Sequence, residues 1–225
     1  MKVDAVVVAA GRSERFGEQD KLFADLGGAP VLVWSLRTLL DAPSVAGLVL
    51  VVREPAAAER ALRPFVAIDR VRVVAGGARR RDSVEAGLRA AATPYVLVHD
   101  GARPFLTVEL VERVVAAAEG ESAAIAAVPV VDTIKVVGPD GYVAEHPDRS
   151  RLWAAQTPQV VRRELWLEAA RLSQTDETDD AALIARLGAR VKVVRGDHRN
   201  LKITHPEDLT VARALLAASR AGGVR

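Results

Sequence analysis

The residues of this chain that could do chemistry begin in its first segment. An apolar run at residues 3–8 ends in Ala9-Ala10-Gly11, and the cations Arg15 and Lys21 follow. Alanine and glycine let a backbone approach a ligand closely, and exposed backbone amides with nearby cations suit phosphate groups. The segment therefore predicts a nucleotide-binding loop in which Arg15 and Lys21 face the phosphates.

This loop departs from the two commonest glycine-rich fingerprints. Ser13 stands where a dinucleotide-binding fold has its second glycine, and no Gly-Lys-Ser/Thr sequence closes a Walker loop. An ordinary strand-to-helix turn is the alternative interpretation of the same residues. The loop by itself leaves both interpretations open.

Polar groups also follow two central apolar runs. Residues 76–84 join two glycines to the start of a polar helix, which suits contact with a base or phosphate; a turn with an Asp or Ser helix cap is the alternative. Asp100 ends the next run and could hold Mg²⁺, which takes one or two carboxylates and completes its shell with water and phosphate oxygens. A turn aspartate paired with Arg103 is the alternative there. We interpret His99 as a packed residue.

Two further clusters lie in the second half of the chain, one before the last helix and one beside the segment at residues 131–144. Thr204 and Glu207 have the spacing of a capping box at the start of the last helix, but that cap does not explain Lys202. Lysine occurs at only five positions of this arginine-rich chain, and its compact ammonium suits a point contact with phosphate. Residues 149–159 contain two arginines and a tryptophan, for which a packed tryptophan with surface arginines is the alternative to a binding role.

Alternating elements must position these clusters. The predicted strands, after the first apolar run, are residues 45–52, 71–75, 95–99, 123–128 and 191–195. The predicted helices are residues 30–40, 55–65, 80–91, 108–119, 163–172, 179–187 and 207–219. This alternation predicts an α/β fold with a mainly parallel sheet and helices on both faces. Ligands of such sheets bind beyond the carboxyl ends of the strands, where the first loop lies.

One segment interrupts the alternation. Residues 131–135 and 142–144 flank Gly138-Pro139-Asp140-Gly141, which has the composition of a tight hairpin turn. We therefore predict a projecting β-arm at residues 131–152 within one domain that spans residues 1–225. An isolated hairpin is marginally stable in water, so we expect the arm to pack on a second copy of the chain.

Composition limits the class of protein. A chain of 225 residues with 50% hydrophobic residues, no cysteine and no apolar run of membrane-spanning length predicts a soluble protein without disulfides. The chain enters a strand at once without a basic leader, which favours the cytoplasm. The net charge is +2 with basic and acidic residues interspersed, so we expect no nucleic-acid partner and no membrane partner.

Together, the clusters resemble those of the 2-C-methyl-D-erythritol 4-phosphate cytidylyltransferases of the non-mevalonate isoprenoid pathway. The similarity spans nearly the whole chain. The matching stretches are Ala9-Ala10-Gly11 with Arg15 and Lys21, Gly76-Gly77 with Arg80 and Asp82-Ser83-Val84, His99-Asp100 with Ala102-Arg103-Pro104, Asp132-Thr133, Asp148-Arg149, Leu152-Trp153 with Gln156-Thr157-Pro158-Gln159, and Asn200 with Lys202-Ile203-Thr204. The departures are Ser13, Asp20, Leu22 and Gly101, which remove no charge that the reaction needs, and Ala78 and Arg199, where the family often has acidic residues.

The resemblance implies a homodimer of Rossmann-like subunits, each a three-layer αβα sandwich, that joins CTP to methylerythritol phosphate with Mg²⁺ and releases pyrophosphate. Catalysis would rest on Arg15, Lys21 and Lys202, because an already ionised phosphate oxygen attacks and needs no general base. The residues implied around CTP are Ala9, Ala10, Gly11, Gly77, Ser83 and Asp100, the last also at the metal. Thr133 and Arg149 of a partner's arm would hold the acceptor.

Two other functions compete with this hypothesis. A cytidylyltransferase for another polyol phosphate, such as ribitol phosphate, would differ in only a few acceptor contacts. A non-catalytic regulatory module would keep the nucleotide-binding loop without transferring anything. Product analysis separates the first alternative, and the effect of replacing Lys202 on turnover separates the second.

Overall fold

The computed structural model describes residues 1–11, 16, 20–173 and 179–221 of the chain. The described strands are β1 (Val3–Val8), β2 (Val45–Val52), β3 (Val71–Ala75), β4 (Tyr95–Asp100), β5 (Ala123–Pro129), β6 (Val136–Val137), β7 (Val143–Glu145), β8 (Trp153–Arg162) and β9 (Val191–Arg195). The described helices are α1 (Val31–Asp41), α2 (Pro55–Leu62), α3 (Arg80–Ala90), α4 (Val108–Ala118), α5 (Arg163–Leu172), α6 (Asp180–Ala185) and α7 (Pro206–Ala221). None of these helices has the length and apolar character needed to cross a membrane.

Seven strands form one sheet in the order β3-β2-β1-β4-β8-β5-β9. The first four run parallel to one another, and β5 and β9 form a second parallel pair. The mainly parallel sheet predicted from the alternation is therefore confirmed. Strand β8 lies between β4 and β5, antiparallel to both, and the apolar pattern missed it. Its buried half contains Gln156, Thr157 and Gln159, so it has no continuous apolar run.

Helices cover both faces of the sheet because the central strands are apolar on both sides. In β1, Val3, Ala5 and Val7 join the core formed with α1, α2 and α4, whereas Val6 joins the core formed with α3, α5 and α6. Successive side chains of a strand point to opposite faces, so an uninterrupted apolar strand requires a layer on each side. The result is the predicted three-layer αβα sandwich.

The register of the parallel strands sets where their polar ends meet. Val8 of β1 pairs with Asp100 of β4 on one side and with Val51 of β2 on the other. Val52 in turn pairs with Ala75, the last residue of β3. The segments that follow β1, β2, β3 and β4 therefore leave the sheet at one edge, as expected for a ligand crevice in this kind of fold.

The arm is a separate two-stranded sheet with a register that differs from the prediction. Residues 131–135 are not a strand: β6 is Val136–Val137, which pairs antiparallel with β7. The turn decides this register, because the amide of Gly138 donates to the carbonyl of Tyr142 at 2.9 Å and pairs the residues that directly flank the turn. Gly141 has a φ of +83°, the left-handed conformation that favours glycine.

The start of α7 also differs from the prediction. The expected capping box between Thr204 and Glu207 is wrong, because the hydroxyl of Thr204 instead donates to the carbonyl of Lys202 at 3.3 Å. The carboxylate of Asp208 accepts the amides of Thr204 and His205 at 2.7 and 2.8 Å. One carboxylate in the first turn thus accepts the amides of the two residues that directly precede the helix.

Candidate functional site

A cavity of about 370 Å³ opens at the carboxyl edge of β1 to β4. Most of the predicted site residues line it: Ala9, Ala10, Gly11, Lys21, Gly77, Ser83, Asp100 and Lys202. These residues come from five separate parts of the sequence, and the fold brings them together around one cavity. Arg15 lies outside the described residues.

The glycine turn after β3 forms one wall of the cavity. A Cβ on Gly76 would collide with the side chains of Ala10 and Ser83, so glycine permits the close approach of this turn to the first loop. The hydroxyl of Ser83 accepts the amide of Gly77 at 3.1 Å and donates to the carbonyl of Arg79 at 3.2 Å. The turn is therefore held by its own helix, and it lines a ligand-sized space.

The structure confirms the helix cap predicted as the alternative for this glycine segment, and contact of the segment with a base or phosphate stays a prediction. Asp82 accepts the amide of Arg79 at 3.2 Å and its guanidinium at 2.6 Å, which is the helix cap that the structural alternative predicted. The same turn still contributes Gly76, Gly77 and Ser83 to the cavity wall. The helix cap fixes the backbone that a ligand would contact.

Asp100 is the electrostatic centre of the cavity. Its Oδ2 lies 2.8 Å from Nζ of Lys202 and 3.9 Å from Nε of Arg103, and its Oδ1 lies 3.5 Å from Nη2 of Arg80. Burial works to raise the pKa of Asp100, but the charges of Lys202, Arg80 and Arg103 outweigh burial and hold the pKa well below its usual range. The carboxylate therefore stays ionised at working pH and cannot act as a general acid.

Buried hydrogen bonds fix the backbone beneath Asp100. His99 is fully buried, with Nε2 at 3.3 Å from the carbonyl of Arg103 and Nδ1 at 3.1 Å from Oγ1 of Thr157. Because a carbonyl only accepts, Nε2 carries the ring proton and Nδ1 accepts from the Thr157 hydroxyl. That hydroxyl oxygen accepts the amide of Asp100 at 3.0 Å.

The same network reaches the Lys202 segment. Nδ2 of Asn200 donates to the carbonyl of Thr157 at 2.8 Å, and the guanidinium of Arg103 donates to the carbonyl of Asn200 at 2.7 Å. The amide of Ile203 donates to the carbonyl of Ala102 at 2.8 Å. Lys202 lies between these attachments, which explains how a residue 102 positions from Asp100 in sequence meets its carboxylate.

The pKa of His99 follows from its surroundings. Burial lowers it to about 4, against a smaller opposing influence of Asp100. His99 is thus neutral at working pH and makes the hydrogen bonds of a neutral ring. It is packed, as the sequence predicted, and it also supports the site through its two ring nitrogens.

The sequence did not assign three arginines that line the cavity, Arg53, Arg79 and Arg80. Arg80 was visible as part of a motif without a stated role, whereas Arg53 follows β2, the one central strand after which no polar cluster was recognised. Asp100 supplies the only carboxylate among the described lining residues, against five cationic side chains. This excess of positive charge suits a polyanion such as a nucleoside triphosphate.

The donor set constrains any metal. No cluster of three or more His, Cys, Asp or Glu side chains able to hold a metal ion occurs in the described parts of the chain. Asp100 alone fits a cation that is carried largely by phosphate oxygens and water, as Mg²⁺ commonly is. Within the described ranges, its Oδ1 makes only the 3.5 Å contact with Arg80, so no described side chain occupies that oxygen at hydrogen-bond distance.

The two predicted acceptor-binding residues lie on the arm and not in this cavity. Thr133 and Arg149 are exposed, and Nη1 of Arg149 donates to the carbonyl of Val131 at 2.6 Å. Neither residue is part of the cavity lining. Several large apolar side chains of the arm are exposed as well, with Val131 69% and Tyr142 76% accessible.

The family model described as 2-C-methyl-D-erythritol 4-phosphate cytidylyltransferase matches residues 3–218. The chain is 40% identical over 222 residues to a protein of that name from Dehalococcoides mccartyi, covering 97% of this chain and 98% of that protein. It is 43% identical over 229 residues to one from Pelotomaculum thermopropionicum, covering 96% and 95%.

Solved structures agree with the sequence relatives. The 4-diphosphocytidyl-2C-methyl-D-erythritol synthase of Anaerococcus prevotii superposes with a TM-score of 0.85 at 30% identity, covering 96% of each chain. The 2-C-methyl-D-erythritol 4-phosphate cytidylyltransferase of Thermus thermophilus superposes with a TM-score of 0.79 at 35% identity, covering 96% of this chain and all of that one. The likeness therefore includes the sheet, its layers and the sequence together.

Proposed function

The chain belongs to the 2-C-methyl-D-erythritol 4-phosphate cytidylyltransferase family, and on that premise we propose the reaction that its cavity performs. The enzyme transfers the cytidylyl group of CTP to 2-C-methyl-D-erythritol 4-phosphate. The products are 4-diphosphocytidyl-2-C-methyl-D-erythritol and pyrophosphate. Its cytoplasmic location stays a prediction from the sequence.

One observation carries this proposal: two of the three predicted cationic catalysts and the predicted metal ligand share one cavity with the glycine-rich turns. Lys21, Lys202 and Asp100 line the same space as Ala9-Ala10-Gly11 and Gly77. A nucleotide whose base rests between the two turns would direct its phosphates toward the cations. The small side chains of the turns leave room for the base and expose backbone groups to it.

The chemistry requires alignment and charge neutralisation. An oxygen of the acceptor phosphate attacks the α-phosphorus of CTP, and the bond from that phosphorus to the oxygen bridging it to the β-phosphorus breaks. Pyrophosphate leaves with that oxygen. The attacking oxygen is already ionised, so no side chain must remove a proton. Lys21 and Lys202 stabilise the negative charge that grows on the phosphoryl oxygens, and this contribution is larger in the transition state than in the bound reactants. Arg15 is proposed as a further contact to the triphosphate.

A divalent cation completes the set. We propose that Asp100 holds Mg²⁺ together with phosphate oxygens of CTP, and the ion would neutralise charge on the triphosphate and the departing pyrophosphate. Asp100 is suited to this role because its pKa is held low and it stays ionised. Nζ of Lys202 lies 2.8 Å from Oδ2 of Asp100, so the proposed Mg²⁺ and the ammonium of Lys202 would contact the same carboxylate.

The acceptor site is proposed to form between two copies of the chain. Thr133 and Arg149 stand on the exposed arm, outside their own cavity, and the same arm exposes apolar side chains such as those of Val131 and Tyr142. Covering these side chains with a second copy would remove apolar surface from water. In such a homodimer, Thr133 and Arg149 of one arm hold the acceptor phosphate at the other subunit's cavity.

The deciding experiment is an assay of pyrophosphate release with four nucleoside triphosphates, each offered with methylerythritol phosphate and ribitol phosphate. We expect turnover only with CTP and methylerythritol phosphate, and mass spectrometry of the product to show the cytidylyl conjugate. Comparable turnover with ribitol phosphate would contradict the acceptor assignment. Binding of CTP without turnover for any acceptor would instead support the regulatory module.

A further inference from the structure

A buried carboxylate outside the cavity forms an ion pair with one of the arginines that line the cavity. Asp180, the first residue of α6, is 2% exposed, and its two oxygens each have a specific partner. Oδ1 accepts the indole N–H of Trp166 at 3.0 Å, and Oδ2 accepts Nη2 of Arg80 at 2.8 Å. A buried carboxylate is costly without such partners, so the arrangement fixes Asp180 and thereby the guanidinium of Arg80.

Arg80 lies between two carboxylates at unequal distances. The same Nη2 that is 2.8 Å from Asp180 is 3.5 Å from Oδ1 of Asp100, beyond a good hydrogen bond. Burial works to lower the pKa of Arg80, but Asp180 and then Asp100 raise it above its ordinary value. Arg80 therefore remains a cation, and Asp180 is the anion that holds it.

The cationic side chains around Asp100 compete with a divalent ion for its carboxylate oxygens. Three cations surround its carboxylate, and each one that moves closer reduces the attraction of the oxygens for a divalent ion. With Arg80 held by Asp180, the contact between Arg80 and Oδ1 of Asp100 stays at 3.5 Å. Without that restraint, Arg80 would close the remaining distance and form a direct ion pair with Asp100.

We propose that Asp180 is a positioning residue for nucleotidyl transfer: it draws Arg80 away from Asp100, so that Asp100 remains available to Lys202 and a divalent cation. This inference rests on the proposed function, because it assigns Asp100 to the cation of that reaction. Asp180 itself touches neither substrate nor metal. It acts through the position of one guanidinium, 100 residues away in the sequence.

The variant Asp180→Asn tests this role with little change of shape. Its amide oxygen can still accept the indole N–H of Trp166, but its amide group now presents N–H to the N–H of Arg80, which removes the attraction. We expect Arg80 to move to Asp100, with the Nη2 to Oδ1 distance shortening from 3.5 Å to about 2.9 Å in a crystal structure of the variant. A crystal structure in which Arg80 has not moved would overturn the proposal.

Metal binding provides a second readout that does not depend on turnover. Electron paramagnetic resonance of Mn²⁺ with the enzyme and a non-reactive CTP analogue should show an apparent dissociation constant raised about tenfold in Asp180→Asn, the scale typical of residues that orient a metal ligand. In the transfer assay, the Mg²⁺ concentration at half-maximal rate should rise by a similar factor, while the KM for CTP at saturating Mg²⁺ changes less. Unchanged metal dependence would overturn the proposal.

Matched variants separate this effect from loss of stability. Trp166→Phe removes the indole N–H and leaves the carboxylate, so it should lower the melting temperature without the tenfold metal effect. In an Arg80→Gln background, Asp180→Asn should change metal affinity little, because the guanidinium through which Asp180 acts on Asp100 is absent. A full effect in that background would refute the route through Arg80. If the unaltered enzyme transfers no cytidylyl group, the proposed function fails, yet the crystal structure still decides the position of Arg80.

Discussion

Replacement of Lys202 by alanine is the most direct test of how the cavity accelerates the reaction. The ammonium approaches an anionic oxygen of Asp100 to 2.8 Å while 40% of its side chain remains exposed. At that separation and an effective dielectric constant of about 20, two unit charges interact by about 6 kcal/mol. If roughly half a unit of charge develops on the phosphoryl oxygen near Nζ, the transition state loses about 3 kcal/mol, which is about 10²-fold in kcat.

The measurement must separate turnover from binding. Pyrophosphate release under saturating CTP and acceptor gives kcat, and calorimetric titration with CTP gives the dissociation constant. We expect kcat of Lys202→Ala to fall by about 10²-fold while CTP affinity changes less than about tenfold, because the charge that Lys202 meets grows mainly in the transition state. Lys202→Arg should recover only part of the rate, since a planar guanidinium does not replace a point charge.

Lys192 provides the matched control. It is a lysine of β9 with a 3.7 Å ion pair to Glu121, outside the cavity lining, so Lys192→Ala should leave kcat within about twofold. A kcat of Lys202→Ala within tenfold of the parent would refute the transition-state argument. So would a loss in kcat/KM that appears wholly as weaker CTP binding, because that result describes a contact made equally in the ground state.

Three further predictions use other parts of the structure. Gly76→Ala should weaken CTP binding by about tenfold in calorimetry, because its Cβ collides with Ala10 and Ser83; an unchanged titration would contradict the fit of the turn. Burial lowers the pKa of His99 from 6.5 to about 4. As the pH falls through this window, His99 becomes protonated in the unfolded chain but stays neutral in the folded chain, and the free energy of unfolding decreases by about 3 kcal/mol. Urea unfolding at pH 7 and 4.5 covers about 2 kcal/mol of that loss, which should shrink in His99→Gln; equal losses in both proteins would refute it. Mixing inactive Lys202→Ala with inactive Arg149→Ala should restore about a quarter of the parent activity if acceptor sites form between subunits, and no recovery would contradict the shared site.

Local patterns in the sequence predicted much of the fold. The strands β2, β3 and β9 and the helix α5 have the predicted bounds, because apolar runs of strand length and helical spacing are local properties. The glycine turns and the ends of β1 and β4 were also recognisable as possible ligand contacts. Strand β8 was not, because Gln156, Thr157 and Gln159 interrupt the apolar pattern of its buried half, and each of these side chains also bonds to a residue distant in the sequence. Gln159, for example, donates to Asp179 and accepts from the amide of Ala181.

The chain's own order of residues determined which groups are available: small residues after β1, glycines after β3, one aspartate at the end of β4, and a rare lysine at position 202. Only the tertiary structure decided which charged side chains form ion pairs, because ion pairs between distant segments depend on strand order and on how each loop is anchored. Lys202 reaches Asp100 because the residues Asn200 and Ile203 on either side of it are hydrogen-bonded to the core. Arg80 forms its short ion pair with Asp180, which lies 100 positions away in the sequence. Such pairings follow from packing in three dimensions, which no local spacing encodes.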